Sequence, residues 1–254
     1  MTNTEFQAPR SAVVTGASSG IGQATVRALR NQGWTVFAVA RRADRLEALA
    51  QQTGAISVPA DVSVQTDVEV LAKTVEAAGG IDTLINCAGG ARGTEYWADA
   101  IDEDWEFMWQ ANVMGTMRLT RALLPQLRQA RGTVLNVTST AALASYEGGS
   151  GYNAAKAAER AMTQALRLEE VENGLRVIEI LPGLVQTEEF ALRRLGSQSA
   201  ADSVYAGVDN PLTAEDVAEV IRYAVSAPAH VNLDEIVIRP QAQAANHKLI
   251  RNAK

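Results

Sequence analysis

The 254-residue sequence predicts a single α/β domain, a doubly wound parallel sheet with helices on both faces. Three observations lead there. Short apolar runs alternate along the whole chain with amphipathic stretches of about 10–20 residues, the pattern of parallel strands joined by right-handed helical crossovers. A glycine-rich loop, Gly16-Ala-Ser-Ser-Gly20-Ile-Gly22, interrupts the first strand-to-helix junction. No internal repeat, low-complexity linker or composition shift marks a second domain, and the length suits one large unit with a substantial core, so residues 1–254 read as one domain.

Composition narrows the function classes. Apolar residues are 47% and charged residues 20% of the chain, the balance of a globular protein. The net charge of -6 is spread rather than blocked, which gives no reason to expect nucleic acid or an anionic membrane as partner. Cys87 is the only cysteine, so an internal disulfide or a cysteine-based metal cluster cannot be built. His230 and His247 stand near the end and far apart, and no metal site is expected. Residues 1–10 lack the apolar core of a signal peptide and no apolar run reaches membrane-spanning length, so a cytoplasmic protein is the expectation.

Taken in order, residues 11–15 read as a buried strand, the glycine loop follows, and a helical pattern over 23–32 ends at Gly33. Glycines at such a junction let the backbone approach a phosphate, and the helix N-terminus offers free N–H groups and a positive dipole end. Gly-x-x-x-Gly-x-Gly is a spacing variant of the dinucleotide fingerprint, and its position after the first strand favours that reading over an ordinary tight turn. The next strand, 34–40, ends at Ala40, followed by Arg41 and Arg42 before a helix over 43–52. Specificity for NAD calls for Asp or Glu about 20 residues past the glycines. Guanidinium groups there suit a 2′-phosphate instead, so NADP is expected, against the plainer reading of two solvated arginines. A third strand, 55–59, runs into Asp61-Val62, with Asp61 placed to accept from an adenine amino group. After a helix over 64–78 and a strand over 83–86 comes Asn86-Cys87-Ala88-Gly89-Gly90, whose small side chains leave room for a ribose or a nicotinamide; Cys87 reads as a packing residue.

The second half repeats the alternation. A long helical region, 102–130, carries Trp105, Met108 and Trp109 as core or subunit-contact residues, and a strand over 132–138 leads to Ser139. A helix over 152–173 begins with Tyr152-Asn-Ala-Ala-Lys156, and a strand over 176–181 delivers Pro182-Gly183. The polar stretch 186–209 is too long for an ordinary turn and is expected to be a substrate lid. A helix over 213–226, a strand over 234–239 and a polar tail, 240–254, finish the chain.

On a helix, Tyr152 and Lys156 project from one face. A phenol titrates near pH 10 and is a poor proton carrier at neutral pH, but a cation beside it favours the phenolate. Lowering its pKa by about three units takes roughly 4 kcal/mol, within reach of a buried lysine plus a second positive charge. By itself Tyr-x-x-x-Lys is most often an ordinary amphipathic turn.

The accompanying motifs decide the matter. Thr15-Gly16-Ala-Ser-Ser-Gly20-Ile-Gly22, Asn86-Cys-Ala-Gly89, Asn112, Ser139, Tyr152-x-x-x-Lys156 and Pro182-Gly183, in this order over almost the whole chain, resemble the short-chain dehydrogenase/reductase family, with its Rossmann-like fold. Cys87 departs from the family's usual asparagine or alanine. Pro-Gly-Leu-Val-x-Thr-Glu and the segment from His230 to Pro240 resemble its NADP-dependent branch of 3-hydroxy acid (serine-type) dehydrogenases. The resemblance implies a catalytic set of Asn112, Ser139, Tyr152 and Lys156. In it Tyr152 exchanges a proton with the substrate oxygen, Ser139 binds that oxygen, Lys156 holds the nicotinamide ribose and lowers the Tyr152 pKa, and Asn112 binds a water that leads the proton out. It further implies that Gly16, Ser18, Ser19, Gly20, Ile21 and Gly22 meet the pyrophosphate and ribose side, Asp61 and Val62 the adenine, and Asn86, Ala88 and Gly89 the adenosine ribose. Pro182, Gly183, Val185 and Thr187 fall at the nicotinamide end. Arg92, Glu95, Tyr146, Glu147, Arg193 and Arg194 lie on loops expected to edge the pocket, where an arginine could clamp a substrate carboxylate. A homodimer or homotetramer formed through the two long helices is expected, with Ala154, Ala157, Ala158, Ala161 and Ala165 permitting close approach. The substrate is a small carbonyl compound or alcohol. A 3-oxoacyl thioester reductase, an aldehyde reductase of secondary metabolism and a non-catalytic NADP sensor are the competing readings.

Overall fold

The computed structural model describes residues 10–252, so the leader reading of residues 1–9 and the last two positions of the tail lie outside the described residues. The first half runs β1 (Ser11–Thr15), α1 (Gly20–Asn31), β2 (Thr35–Ala40), α2 (Ala43–Thr53), β3 (Ile56–Pro59), α3 (Gln65–Ala77) and β4 (Thr83–Asn86). The second runs α4 (Asp102–Met108), a π-helical turn (Trp109–Met114), α5 (Gly115–Ala130), β5 (Thr133–Val137), α6 (Ser150–Glu170), β6 (Arg176–Pro182), α7 (Phe190–Leu195), α8 (Gln198–Tyr205), α9 (Ala214–Val225) and β7 (Glu235–Ile238). The strands form a 7-stranded parallel sheet in the order β3-β2-β1-β4-β5-β6-β7, the doubly wound fold the alternation predicts.

The order reverses between β1 and β4, and a crevice opens there at the carboxyl ends of the strands, where such sheets bind ligands. Strand residues alternate between two cores. Ala12 and Val14 of β1 join Val26 and Leu29 of α1, Leu46 and Leu49 of α2, and Val217 and Ile221 of α9. Val13 points the other way, to Leu71 and Val75 of α3 and Leu119, Leu123 and Leu127 of α5. Burial on both faces explains why the strands read as continuous apolar runs rather than alternating ones.

The structure departs from the sequence reading in three places. The helical run over 102–130 contains the π-helical turn, because the Asn112 amide donates to the Met108 carbonyl at 2.7 Å, the acceptor that the regular backbone ladder would use. The stretch 186–209 is not irregular throughout but contains α7 and α8. The tail forms a small antiparallel pair, β8 (Gln243–Ala245) with β9 (Lys248–Leu249), and returns to the crevice. Among the described residues no helix is long and apolar enough to cross a membrane.

Candidate active site

A cleft of about 910 Å³ runs along the carboxyl edge of the sheet. Its walls include Gly16, Ser18, Ser19, Gly20, Ile21, Gly22, Arg41, Arg42, Asp61, Val62, Ala88, Gly89, Ser139, Tyr152, Pro182, Gly183, Val185 and Thr187, which the sequence places in one site from widely separated segments. Asn86, Asn112 and Lys156 stand behind the wall rather than in it.

The glycine-loop end of the cleft is built on β1 and β4. Thr15 lies buried at the end of β1, and its hydroxyl accepts from the main-chain N–H groups of Cys87 and Ala88 at 3.0 and 2.9 Å, clamping the two strand ends together. Gly16 has φ +67°, and a Cβ there would stand 2.9 Å from the Cys87 carbonyl oxygen, so the loop can lie against β4 only without a side chain. The Asn86 side chain, expected near a ribose, is turned into the interior. Its amide donates to Asn136 Oδ1 at 2.8 Å and Thr120 Oγ1 at 3.2 Å, and Asn136 in turn donates to Thr163 Oγ1 at 2.8 Å, a buried ladder that ties β4, β5, α5 and α6 together. Cys87 is partly buried against the core, and burial pushes its thiol up to about 12.

Arg41 and Arg42 both line the cleft at the end of β2 but differ in freedom. Arg41 is 58% exposed on its side chain and stands 3.7 Å from Asp61 Oδ2. Arg42 donates to Ser18 Oγ and Ser19 Oγ at 2.9 and 3.1 Å and forks onto Glu189 at 2.6 and 2.9 Å. Arg45 and Arg193 reach the same carboxylate, each at 2.7 Å. The hydrogen bonds from Arg42, with Ser19 and Arg193 adding to them, hold the Glu189 carboxyl down at about 2 although partial burial opposes this. Glu189 was not legible as a site residue. It ties the segment before α7 to the glycine-loop end of the cleft.

The other end is built on α6. Tyr152, Lys156 and Glu159 occupy one inward face at helical spacing and are all buried. Ser139 caps a short turn (Thr140–Ala142), its hydroxyl accepting from Ala141 N at 3.1 Å. Asn153 binds that turn to α6 by donating to the Ala141 carbonyl at 2.9 Å, which sets the Ser139 hydroxyl beside the Tyr152 phenol, where it favours the ionised form. The Lys156 ammonium lies 5.9 Å from the Tyr152 ring centre and donates to Val137 O at 3.1 Å and Glu159 Oε2 at 2.7 Å. Burial raises the Tyr152 phenol above its ordinary value, and the pull of Lys156 and Ser139 does not overcome it, since Tyr146 and Glu159 push the same way as burial. The sequence reading has the sign of the lysine's effect right and leaves out the larger cost of burial.

Asn112 does not offer a free amide toward the cleft. It donates to Gly90 O at 2.9 Å as well as to Met108, and accepts from Gly90 N at 3.1 Å, holding the loop after β4. A Cβ on Gly89 would fall 2.4 Å from Asn112 Oδ1 and 3.6 Å from Lys156 Nζ, so this glycine lets the loop close over the lysine.

Of the residues expected at the rim, Arg92, Tyr146, Glu147, Arg193 and Arg194 line the cleft, while Glu95 borders a small neighbouring hollow. Arg194 donates to the Tyr146 hydroxyl at 2.8 Å, Gly148 O at 3.0 Å and Gly93 O at 3.2 Å, and its guanidinium carbon lies 5.7 Å from the Tyr152 ring centre. Phe190 meets the same ring edge-on at 5.8 Å. From the tail, Gln243 Oε1 accepts from Leu184 N at 2.8 Å and Asn246 donates to Thr140 O at 3.0 Å. Both are braces that the polar composition of the tail concealed. Among the described residues no group of three or more His, Cys, Asp or Glu side chains could hold a metal ion.

A glycine loop at the switch point of a parallel sheet, with a buried tyrosine and lysine at the far end of one cleft, is the arrangement of an oxidoreductase. The family model for short chain dehydrogenases matches residues 10–196, and the chain belongs to that family. An uncharacterized oxidoreductase of Mycobacterium tuberculosis is 53% identical over 237 residues, 93% of each chain. The serine 3-dehydrogenase of Agrobacterium fabrum is 38% identical over 235 residues, covering 91% of this chain and 94% of its own. A solved serine dehydrogenase, in a closed form complexed with NADP+, has a TM-score of 0.90 and 34% identity, with 96% of this chain and 100% of that one covered.

Proposed function

We propose that the protein is an NADP(H)-dependent oxidoreductase interconverting a carbonyl and an alcohol, with small 3-hydroxy acids as the substrates to try first. The observation that carries this is the Tyr152–Lys156 pair buried on one face of α6, with Ser139 beside the phenol at the wall of the cleft. The glycine cradle and the cationic end of β2 suit a nicotinamide dinucleotide phosphate, which when bound supplies or accepts the hydride and, oxidised, brings a positive charge. Ser139 binds the substrate oxygen, and Tyr152 gives that oxygen a proton in reduction or takes one in oxidation. Two of the three Lys156 N–H groups are committed to Val137 and Glu159, leaving one for the phenol or a ribose hydroxyl. Asn112 holds Gly90 and with it the loop over Lys156, and in this reading its segment also carries the water through which the proton leaves.

NADP is favoured because β2 runs into Arg41 and Arg42 rather than into an acidic residue, and the exposed Arg41 side chain, 3.7 Å from Asp61, can turn toward a phosphate. The 3-hydroxy acid reading is supported by Arg194, whose donors all go to neutral acceptors, so its charge faces the cleft without a carboxylate partner among the described residues. The relationship to serine 3-dehydrogenase points the same way. Segment 186–209 acts as the lid, latched by Glu189 at one end of the cleft and Arg194 at the other. The exposed Ala154, Ala157, Ala161 and Ala165 face of α6 suits pairing of two copies into a dimer or tetramer. A sensor without catalysis would have no use for the buried tyrosine and lysine. The test is a panel of 3-hydroxy acids, aldehydes, ketones and 3-oxoacyl thioesters followed by NADPH absorbance. Turnover of a 3-hydroxy acid with NADP+ supports the reading, and turnover of thioesters alone would replace it.

A further inference from the structure

The proton chemistry proposed above uses Tyr152, Ser139 and Lys156, yet a fully buried acid that it does not use stands against the lysine. Glu159 lies one turn past Lys156 on the same face of α6 and is fully buried. An isolated carboxylate is not kept in a protein interior without partners, and here every oxygen has one. Oε2 accepts from Lys156 Nζ at 2.7 Å, and Oε1 accepts from the Thr116 hydroxyl at 3.2 Å. The Glu159 main-chain oxygen accepts from Thr163 Oγ1 at 2.8 Å, which links it to the Asn136–Asn86 ladder and so to β4 and β5. The carboxylate therefore sits on a rigid frame and grips the ammonium from the side away from the cleft.

We propose that Glu159 is a positioning residue for Lys156, and that its negative charge governs the protonation of the Tyr152–Lys156 pair. This rests on the reading of Tyr152 as the proton carrier. A buried lysine is pushed toward its neutral form, and a neutral amine would neither attract a phenolate nor hold its place; Glu159 reverses that and keeps the ammonium charged. The same charge opposes ionisation of Tyr152. The pair thus has a firmly placed cation at the cost of a phenol harder to ionise. The other charged or titratable groups facing it are few. Cys87 approaches from the loop after β4, Tyr146 from the loop before α6 and Arg194 from α7. Glu179 of β6 is bound to Thr138 at 2.6 Å and approached by Arg160 at 3.7 Å. From the π-helical turn and α5 only the Thr116 hydroxyl reaches the carboxylate, and from β5 only the Val137 carbonyl reaches the ammonium.

The direction of the effect follows from charge alone. Burial pushes the Glu159 carboxyl upward, but its bonds to the Lys156 ammonium and the Thr116 hydroxyl favour the ionised form, in which Tyr152, Lys156 and Glu159 together are neutral while the phenol holds its proton and become negative when it leaves. With Glu159→Gln they start one charge more positive, so the pair gives up its first proton more easily, whichever of the two groups releases it. In the oxidation direction the acidic limb of the kcat/KM pH profile should move to lower pH by ~1 unit in Glu159→Gln. Glu159→Asp keeps the charge but withdraws it by one bond, so its limb should stay at the wild-type position while kcat falls about 10-fold as Lys156 is drawn from its place. Glu159→Gln with an unmoved limb, or Glu159→Asp with wild-type kcat, overturns the proposal. Should Glu159→Gln fail to fold, as judged by NADPH binding and circular dichroism, the Asp variant still decides. A Tyr152→Phe enzyme that turns over normally would instead remove the reading beneath it, an outcome neither Glu159 variant can mimic.

Discussion

Removing Arg41 should cost the enzyme the NADP preference proposed for it without disturbing its fold. The side chain is 58% exposed and its ion-pair contact, with Asp61, is 3.7 Å long, so Arg41→Ala should change stability by less than about 1 kcal/mol. Against a phosphate, one charge-assisted hydrogen bond contributes about 1.5–3 kcal/mol, or roughly 10- to 150-fold in affinity. Arg42 is a different case. It holds Ser18, Ser19 and Glu189 together, so Arg42→Ala removes the second cation of the proposed phosphate site and loosens the glycine loop and the segment leading to α7 at once. Steady-state kinetics with NADPH and NADH on the wild type and both variants separates these effects. Arg41→Ala should lower kcat/KM for NADPH by about 10- to 100-fold and leave NADH within threefold, whereas Arg42→Ala should lower both. A wild type that prefers NADH, or an Arg41→Ala enzyme with an unchanged cofactor ratio, would refute the reasoning.

Three further outcomes are expected. The Glu189 carboxyl is held at about 2 against an ordinary 4.5, and because its folded pKa is depressed, its contribution of roughly 3 kcal/mol is complete above about pH 4.5 and disappears as pH falls toward 2. The difference in Tm between wild type and Glu189→Gln should therefore narrow steadily below pH 4.5, and a gap independent of pH contradicts this. Asn136→Ala strands Asn86 and Thr163 in the interior and should cost about 2–4 kcal/mol in urea unfolding, with a loss under about 0.5 kcal/mol counting against the ladder. Burial pushes the Cys87 thiol up to about 12, so the native protein should react with iodoacetamide far more slowly than the unfolded chain, and native labelling as fast as that of the unfolded chain would count against this.

The parts of the fold set by short-range chemistry were legible in the sequence. The glycine loop, the apolar strands and the one-turn spacing of Tyr152 and Lys156 each depend on neighbours within a few residues, and the parallel, doubly wound class of the sheet follows from the alternation of strands with helices, though its strand order does not. What stayed hidden depends on pairs far apart in the chain. Glu189 gains its meaning from Arg42 across 147 positions, and Gln243 from Leu184 across 59. The family resemblance assigns Asn86 and Asn112 roles toward ligands, whereas the bonds of their side chains to the interior and to the backbone depend on partners distant in the chain or on local helix geometry that no motif records. Glu159 escaped notice because an acid on an amphipathic helix ordinarily faces water, and only packing against Thr116 and Lys156 shows that this one does not.

The most direct test of the account is Tyr152→Phe, which removes one hydroxyl from the cleft wall and leaves the ring packed against Phe190. With a substrate drawn from the panel, kcat should fall by about 10²- to 10⁴-fold while the Kd for NADPH, read by fluorescence titration, stays within threefold of wild type. A variant that keeps kcat within tenfold of wild type would contradict the assignment of the phenol as the proton carrier.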